Sequence, residues 1–127
     1  PWAAALFYAN DGFTLYLVSD PETRHADDVE KNPCIAAAIH EDYRDWRTIQ
    51  GVQLEGVCEV ITSPIEVAHA LAVYMRKYPF LADLLRVPQE LGAAMAKARF
   101  YKITPTWVRF IDNTRGFGYK EEICLKE

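Results

Sequence analysis

At 127 residues, half of them apolar and one quarter charged, the chain has the size and composition of a single soluble globular domain spanning 1–127, with enough core to need no staple. A net charge of −4 without a basic run argues against nucleic acid as a partner, and no apolar stretch is long enough to span a bilayer as a helix. Cys34, Cys58 and Cys124 form no Cys-x-x-Cys pair and no metal-ligand spacing with His25, His40 or His69, so idle thiols in a reducing, cytoplasmic setting and no metal are expected.

Trp2 to Ala9 is an apolar run, and Phe13 to Val18 is a second. Asn10-Asp11-Gly12 between them is a strong hairpin signal. A helix is expected from Thr23 to Lys31, stopped at Asn32-Pro33 because the residue before proline avoids the α region. Cys34 to Ile39 reads as a strand buried on both faces. His40 to Arg47 is polar and reads as a connection.

Ile49 to Ile61 has period two over a long stretch. Val52, Leu54, Gly56, Cys58 and Val60 take one face; Gln53, Glu55, Val57, Glu59 and Ile61 take the other. Gly56 in the middle suggests a bulge or bend. Ser63-Pro64-Ile65-Glu66 has the form of a capping box opening the main helix. Ile65, Ala68, Leu71, Ala72 and Met75 would be its apolar stripe, and Tyr78-Pro79 its end. A helical turn at Phe80 to Leu85 and a helix over Pro88 to Lys97 follow. Arg99 to Asp112 returns to β character, bent or split at Pro105, and Glu121 to Leu125 closes with a short strand. Short connections and the lack of βαβ alternation favour a small antiparallel barrel with helices at its side.

The chemistry concentrates where the second strand meets the first helix. Leu15 to Ser19 delivers the chain to Asp20-Pro21-Glu22, and the helix opens with Thr23, Arg24 and His25. The first turn of a helix has N–H groups without intrahelical partners and a positive dipole end, which suits an anion. Arg24 adds a planar fork that matches phosphate oxygens. The same residues equally suit a solvated helix start. Gln50 and Gln53 could read the polar edge of a ring or stand in solvent. Asn113, Arg115 and Phe117 lie among glycines, where backbone approaches a ligand closely, or form a plain turn. No catalytic triad is readable.

Thr23-Arg24-His25-Ala26-x-x-Val29-Glu30-x-Asn32-Pro33 resembles the [Ser/Thr]-Arg-Lys-Ala-x-x-[Ile/Leu]-x-x-Asn-Pro motif of the pyridoxamine 5′-phosphate oxidase-like FMN-binding split barrels. The Pro1-to-Ser19 hairpin, Trp46 to Gly56, and Phe110 to Gly118 resemble the same family's adjoining segments, in an uncharacterised branch. The resemblance implies a mainly β fold, an antiparallel split β-barrel that dimerises with FMN between subunits. Ser19, Thr23, Arg24 and His25 would hold the phosphate. Trp2 and Ala3 would line the ring, Gln50 or Gln53 would reach its polar edge, and the loop with Asn113 and Phe117 would approach it from the partner subunit.

Two departures shape the expectation. His25 stands where the family has Lys, which makes that charge dependent on pH. Phe117-Gly118-Tyr119 stands where the authentic oxidase carries Arg-x-His, so oxidation of phosphorylated vitamin B6 is not expected. A family strand preceding Pro1 is missing, consistent with a trimmed N-terminus. The resulting expectation is an FMN-dependent oxidoreductase with a small-molecule substrate or electron donor. The alternatives are a split barrel using haem, with His25, His40 and His69 as candidate ligands, one using a deazaflavin, a non-catalytic flavin module, or a structural dimer with an empty groove.

Overall fold

The structure is a computed structural model that describes residues 1–81 and 98–125. Among these residues the order is β1 (Tyr8–Asp11), β2 (Thr14–Ser19), α1 (Arg24–Lys31), β3 (Cys34–His40), β4 (Gln50–Val60), α2 (Pro64–Lys77), β5 (Arg99–Asp112) and β6 (Lys120–Cys124), with 3-10 turns at Trp46–Thr48 and Asn113–Arg115. The hydrogen-bonded strand order is β1-β2-β5-β4-β3, with β6 also on β5. β1 with β2, β2 with β5, β3 with β4 and β5 with β6 pair antiparallel, as expected. The helix expected over Pro88 to Lys97 and most of the turn at Phe80 to Leu85 lie outside the described residues.

The chain forms two compact units: Pro1–Pro33 with Cys58–Thr104, and Cys34–Val57 with Pro105–Glu127. In the first unit, β1 and β2 form the hairpin, turning at Gly12 with φ of 59°. Only Tyr8 onward is strand; residues 1–7 are exposed and form no element. β2 then pairs with the start of β5, from Leu15↔Ile103 to Ser19↔Arg99. Ala9, Tyr16, Ile61, Ala70, Val73 and Tyr74 form the core cluster.

Two hydroxyls fix α2 on that hairpin. Tyr74 donates to Phe7 O at 2.9 Å and Tyr78 donates to Tyr8 O at 2.6 Å. They select a face other than the one the pattern suggested: Ala70, Val73 and Tyr74 are buried, while Ile65 is 85% exposed and Ala68, Leu71 and Ala72 also face outward. The capping box does not form either. Ser63 makes no side-chain cap bond, and Glu66 is engaged by Lys102, with Nζ to Oε1 at 2.5 Å.

In the second unit, β3 and β4 run in unbroken register from Cys34↔Val57 to His40↔Gly51. Gly56 therefore sits in a regular pair with Ile35, with no bulge on that side. Gly51 does serve a close approach: a Cβ there would meet Ile39 O at 3.1 Å. β3 is a strand as expected but not doubly buried, since its burial alternates between exposed and intermediate. The alternation of β4 also ends early, because Val60 is exposed and Ile61, whose N–H donates to Phe100 O at 2.8 Å, is buried. β5 is one unsplit strand; Pro105 lies between its ladder with β2 and its ladder with β6.

Candidate functional site

In the first unit, the expected phosphate-site residues do come together. Ser19, at the end of β2, is buried, and its Oγ lies 2.6 Å from His25 Nε2 and 3.3 Å from Thr23 Oγ1. His25 Nε2 is 3.2 Å from Thr23 Oγ1. Local sequence explains the convergence. Asp20 Oδ1 accepts from Glu22 N at 2.8 Å, Asp20 O accepts from Thr23 N at 3.1 Å, and this turn places Thr23 as the N-cap of α1. Thr23 Oγ1 accepts from Ala26 N at 3.4 Å. At the other end Asn32 N donates to Asp28 O at 2.9 Å before Pro33 ends the helix.

Two hydroxyls and an imidazole thus meet beside the first N–H groups of a helix, a donor set that fits a phosphate. Arg24, next in sequence, is exposed; its guanidinium lies 4.1 Å over the Trp2 ring and its Nε is 3.8 Å from Asp28 Oδ2. Arg24 is therefore held by a flat ring and a solvated carboxylate, both weak partners at a wet surface. Ala3 is exposed.

In the second unit the organising residue is one that sequence reasoning missed. Asp112, 5% exposed, ends β5 and accepts from Thr114 N at 3.0 Å, Thr114 Oγ1 at 2.5 Å and Gln50 Nε2 at 3.2 Å. The Thr114 hydroxyl is the largest cause holding its carboxyl below the usual carboxylate range, with Gln50 and the Arg115 charge acting the same way against desolvation. An acid followed by Asn-Thr at a strand end is the cap signal that could have revealed it.

Asn113 completes the arrangement. Its Nδ2 donates to Trp46 O at 2.7 Å, its Oδ1 accepts from Gly118 N at 3.0 Å, and its N–H donates to Ile49 O at 2.9 Å. Gly116 and Gly118 supply φ of 142° and 74°, which side-chain-bearing residues rarely adopt. Phe117, 83% exposed, stands edge-on to Trp46 with ring centroids 5.6 Å apart. Gln50 is spent on Asp112, and Gln53 is exposed on β4.

The three histidines each have a partner: His25 as above, His40 Nδ1 with Glu41 O at 2.9 Å, and His69 Nε2 with Asp11 Oδ2 at 2.9 Å. Among the described residues no group of three or more metal-binding side chains occurs, and no helix is long and apolar enough to cross a membrane.

Residues 1–112 match the family model described as pyridoxamine 5′-phosphate oxidase. The chain belongs to that family. It is 30% identical over 121 residues to the UPF0306 protein of Klebsiella pneumoniae (strain 342), covering 94% of this chain and 74% of that protein. Among solved structures, a heme binding protein from Mycobacterium smegmatis matches with a TM-score of 0.71 at 19% identity, over 98% of this chain. The chain spans 47%, about half, of that protein's length. HutZ, the heme storage protein from Vibrio cholerae, matches with a TM-score of 0.59 at 14% identity, over 79% of this chain and 68% of that one. The fold is the family's antiparallel split barrel with helices.

Proposed function

We propose that the chain is an FMN-binding flavoprotein of this family, acting as an oxidoreductase on a small molecule. The observation that carries the reading is the meeting of Ser19 Oγ, Thr23 Oγ1 and His25 Nε2 within 3.3 Å at the N-terminus of α1. These groups, the first helical N–H groups and Arg24 would receive the phosphate. FMN, when bound, supplies the hydride chemistry.

The chain's own part is to bind and orient. Ser19 donates a hydrogen bond to a phosphate oxygen, Thr23 does so on releasing Asp20 O, to which its hydroxyl donates at 2.8 Å, His25 adds a ring N–H, and Arg24 leaves Asp28 for a dianion. Micromolar binding corresponds to roughly −8 kcal/mol. A hydrogen bond to a charged group contributes about 1.5–3 kcal/mol net, so the phosphate contacts cannot supply all of it, and ring burial must add the rest. Trp2, Ala3, Gln50, Gln53, Asn113 and Phe117 are proposed as ring contacts on the family resemblance, each tested by its own variant. A homodimer is part of the same proposal and is checked by light scattering on a sizing column.

A second reading, haem in place of FMN, is favoured by the two structural relatives that bind or store haem. One experiment separates them: the absorption spectrum of the freshly purified protein. A two-band flavin spectrum, or its appearance on adding FMN, supports the first reading. A sharp Soret band with no flavin uptake overturns it.

A further inference from the structure

Arg24, the first residue of α1, has two partners within the first unit. Its guanidinium carbon stands 4.1 Å from the centroid of the Trp2 ring, and its Nε is 3.8 Å from Asp28 Oδ2. The two engage it differently. A carboxylate draws on the guanidinium's charge and its N–H groups, which are the groups a phosphate needs. An aromatic ring takes the flat face and leaves the N–H groups, which lie in the guanidinium plane, free at its rim. At 3.8 Å the Asp28 contact is longer than a hydrogen bond, so it attracts the charge without engaging that donor.

Trp2 belongs to the stretch that precedes β1, and it is 56% exposed, so it does not stand there as core. The end of that stretch is tied to α2, where Tyr74 donates to Phe7 O at 2.9 Å. An exposed arginine has a long stem with many rotamers, and a ligand that captures it must order that stem. A ring already stacked on the guanidinium has done part of the ordering before the ligand arrives. An anion can then displace Asp28 while the ring stays in place, because the two use different parts of the same group.

We propose that Trp2 is a positioning residue for the phosphate, holding the Arg24 guanidinium by its face so that its rim N–H groups meet the anion. The inference rests on the reading of the α1 N-terminus as a phosphate site. It differs from the ring contact that the family resemblance implies for Trp2, and the two roles are separable. A ring contact serves FMN and riboflavin alike, whereas a positioning residue serves the phosphate alone. The test is the ratio of the riboflavin to the FMN dissociation constant, read from flavin fluorescence as protein is added. Trp2→Ala should lower that ratio about two- to fivefold, the size expected of an exposed cation–π contact, by weakening FMN more than riboflavin. Trp2→Phe keeps a flat ring and should hold the ratio close to that of the unaltered protein. Trp2→Leu, apolar but without a ring, should behave as Trp2→Ala, and the comparison of Leu with Phe decides if Trp2→Ala does not fold. In an Arg24→Ala background, Trp2→Ala should leave the ratio unmoved, since the residue acts through the arginine. A ratio near one for the unaltered protein overturns the phosphate reading and the inference with it. A high ratio that survives Trp2→Ala, a Trp2→Leu that matches Trp2→Phe, or a Trp2→Ala effect on the ratio that persists without Arg24 overturns the inference alone.

Discussion

The two polar clusters differ in what their hydrogen bonds are spent on. At the α1 N-terminus, Ser19, Thr23 and His25 bond to one another, and Thr23 also donates to Asp20 O and accepts from Ala26 N, with the first N–H groups of the helix beside them. At the end of β5, Asp112 and Asn113 bond to backbone and side chains that shape the loop itself, from Trp46 O to Gly118 N. Ser19 and His25, whose side chains meet each other, can exchange that bond for a ligand while Thr23 stays as the cap of the helix. A set spent on backbone fixes a shape. The first cluster is organised to receive, and the second to hold Phe117 exposed on a glycine-flanked loop.

The strongest way to break this contrast is to exchange its consequences. Arg24→Ala should weaken FMN binding at least tenfold in a fluorescence titration, as loss of a charged hydrogen bond of about 1.5–3 kcal/mol requires, while melting of the apoprotein stays unchanged. Asp112→Ala should do the reverse: the amides of Asn113, Thr114 and Gly118 should exchange with deuterium severalfold faster, with the amides of α1 unaffected. If Asp112→Ala loosens α1 instead, the two clusters are not separate devices.

A smaller effect follows from pH. Asp112 is held below the ordinary carboxylate range in the folded loop, chiefly by Thr114. Its contribution is therefore complete above the unfolded-state value of about 3.9 and is lost as pH falls through the lower folded value. Protection of the Thr114 amide, taken relative to its intrinsic exchange rate at each pH, should fall in acid below about pH 4, and Asp112→Asn should flatten that fall. The smallest effect is Ser19→Ala. Removing one uncharged donor to the phosphate, where Arg24 brings a charged one, should weaken FMN severalfold, less than Arg24→Ala; an effect as large as that of Arg24→Ala would make Ser19 the centre of the site.

What could be read from the chain was what short-range chemistry decides. Asp11-Gly12 as a turn and Asn32-Pro33 as a stop each act within a few residues, and each appears where expected, while Thr23, expected as the first helical residue, caps the helix instead. α2 shows the opposite case. Its sequence carries two apolar stripes, Ile65-Ala68-Leu71-Ala72-Met75 and Val67-Ala70-Val73-Tyr74, and helical periodicity cannot rank them. The choice is made by Tyr74 and Tyr78 reaching the carbonyls of Phe7 and Tyr8, partners about seventy positions away in sequence. Asp112 stayed hidden for a related reason, since its role rests on Gln50, 62 residues away, as well as on its neighbours.

The central claim is that the start of α1 is a phosphate site. Its most direct test is a pair of fluorescence titrations, FMN against riboflavin, which differ only in the phosphate. Binding of FMN at least tenfold tighter than riboflavin, with the difference removed by Arg24→Ala, is the expected result. Equal affinities for the two would contradict it.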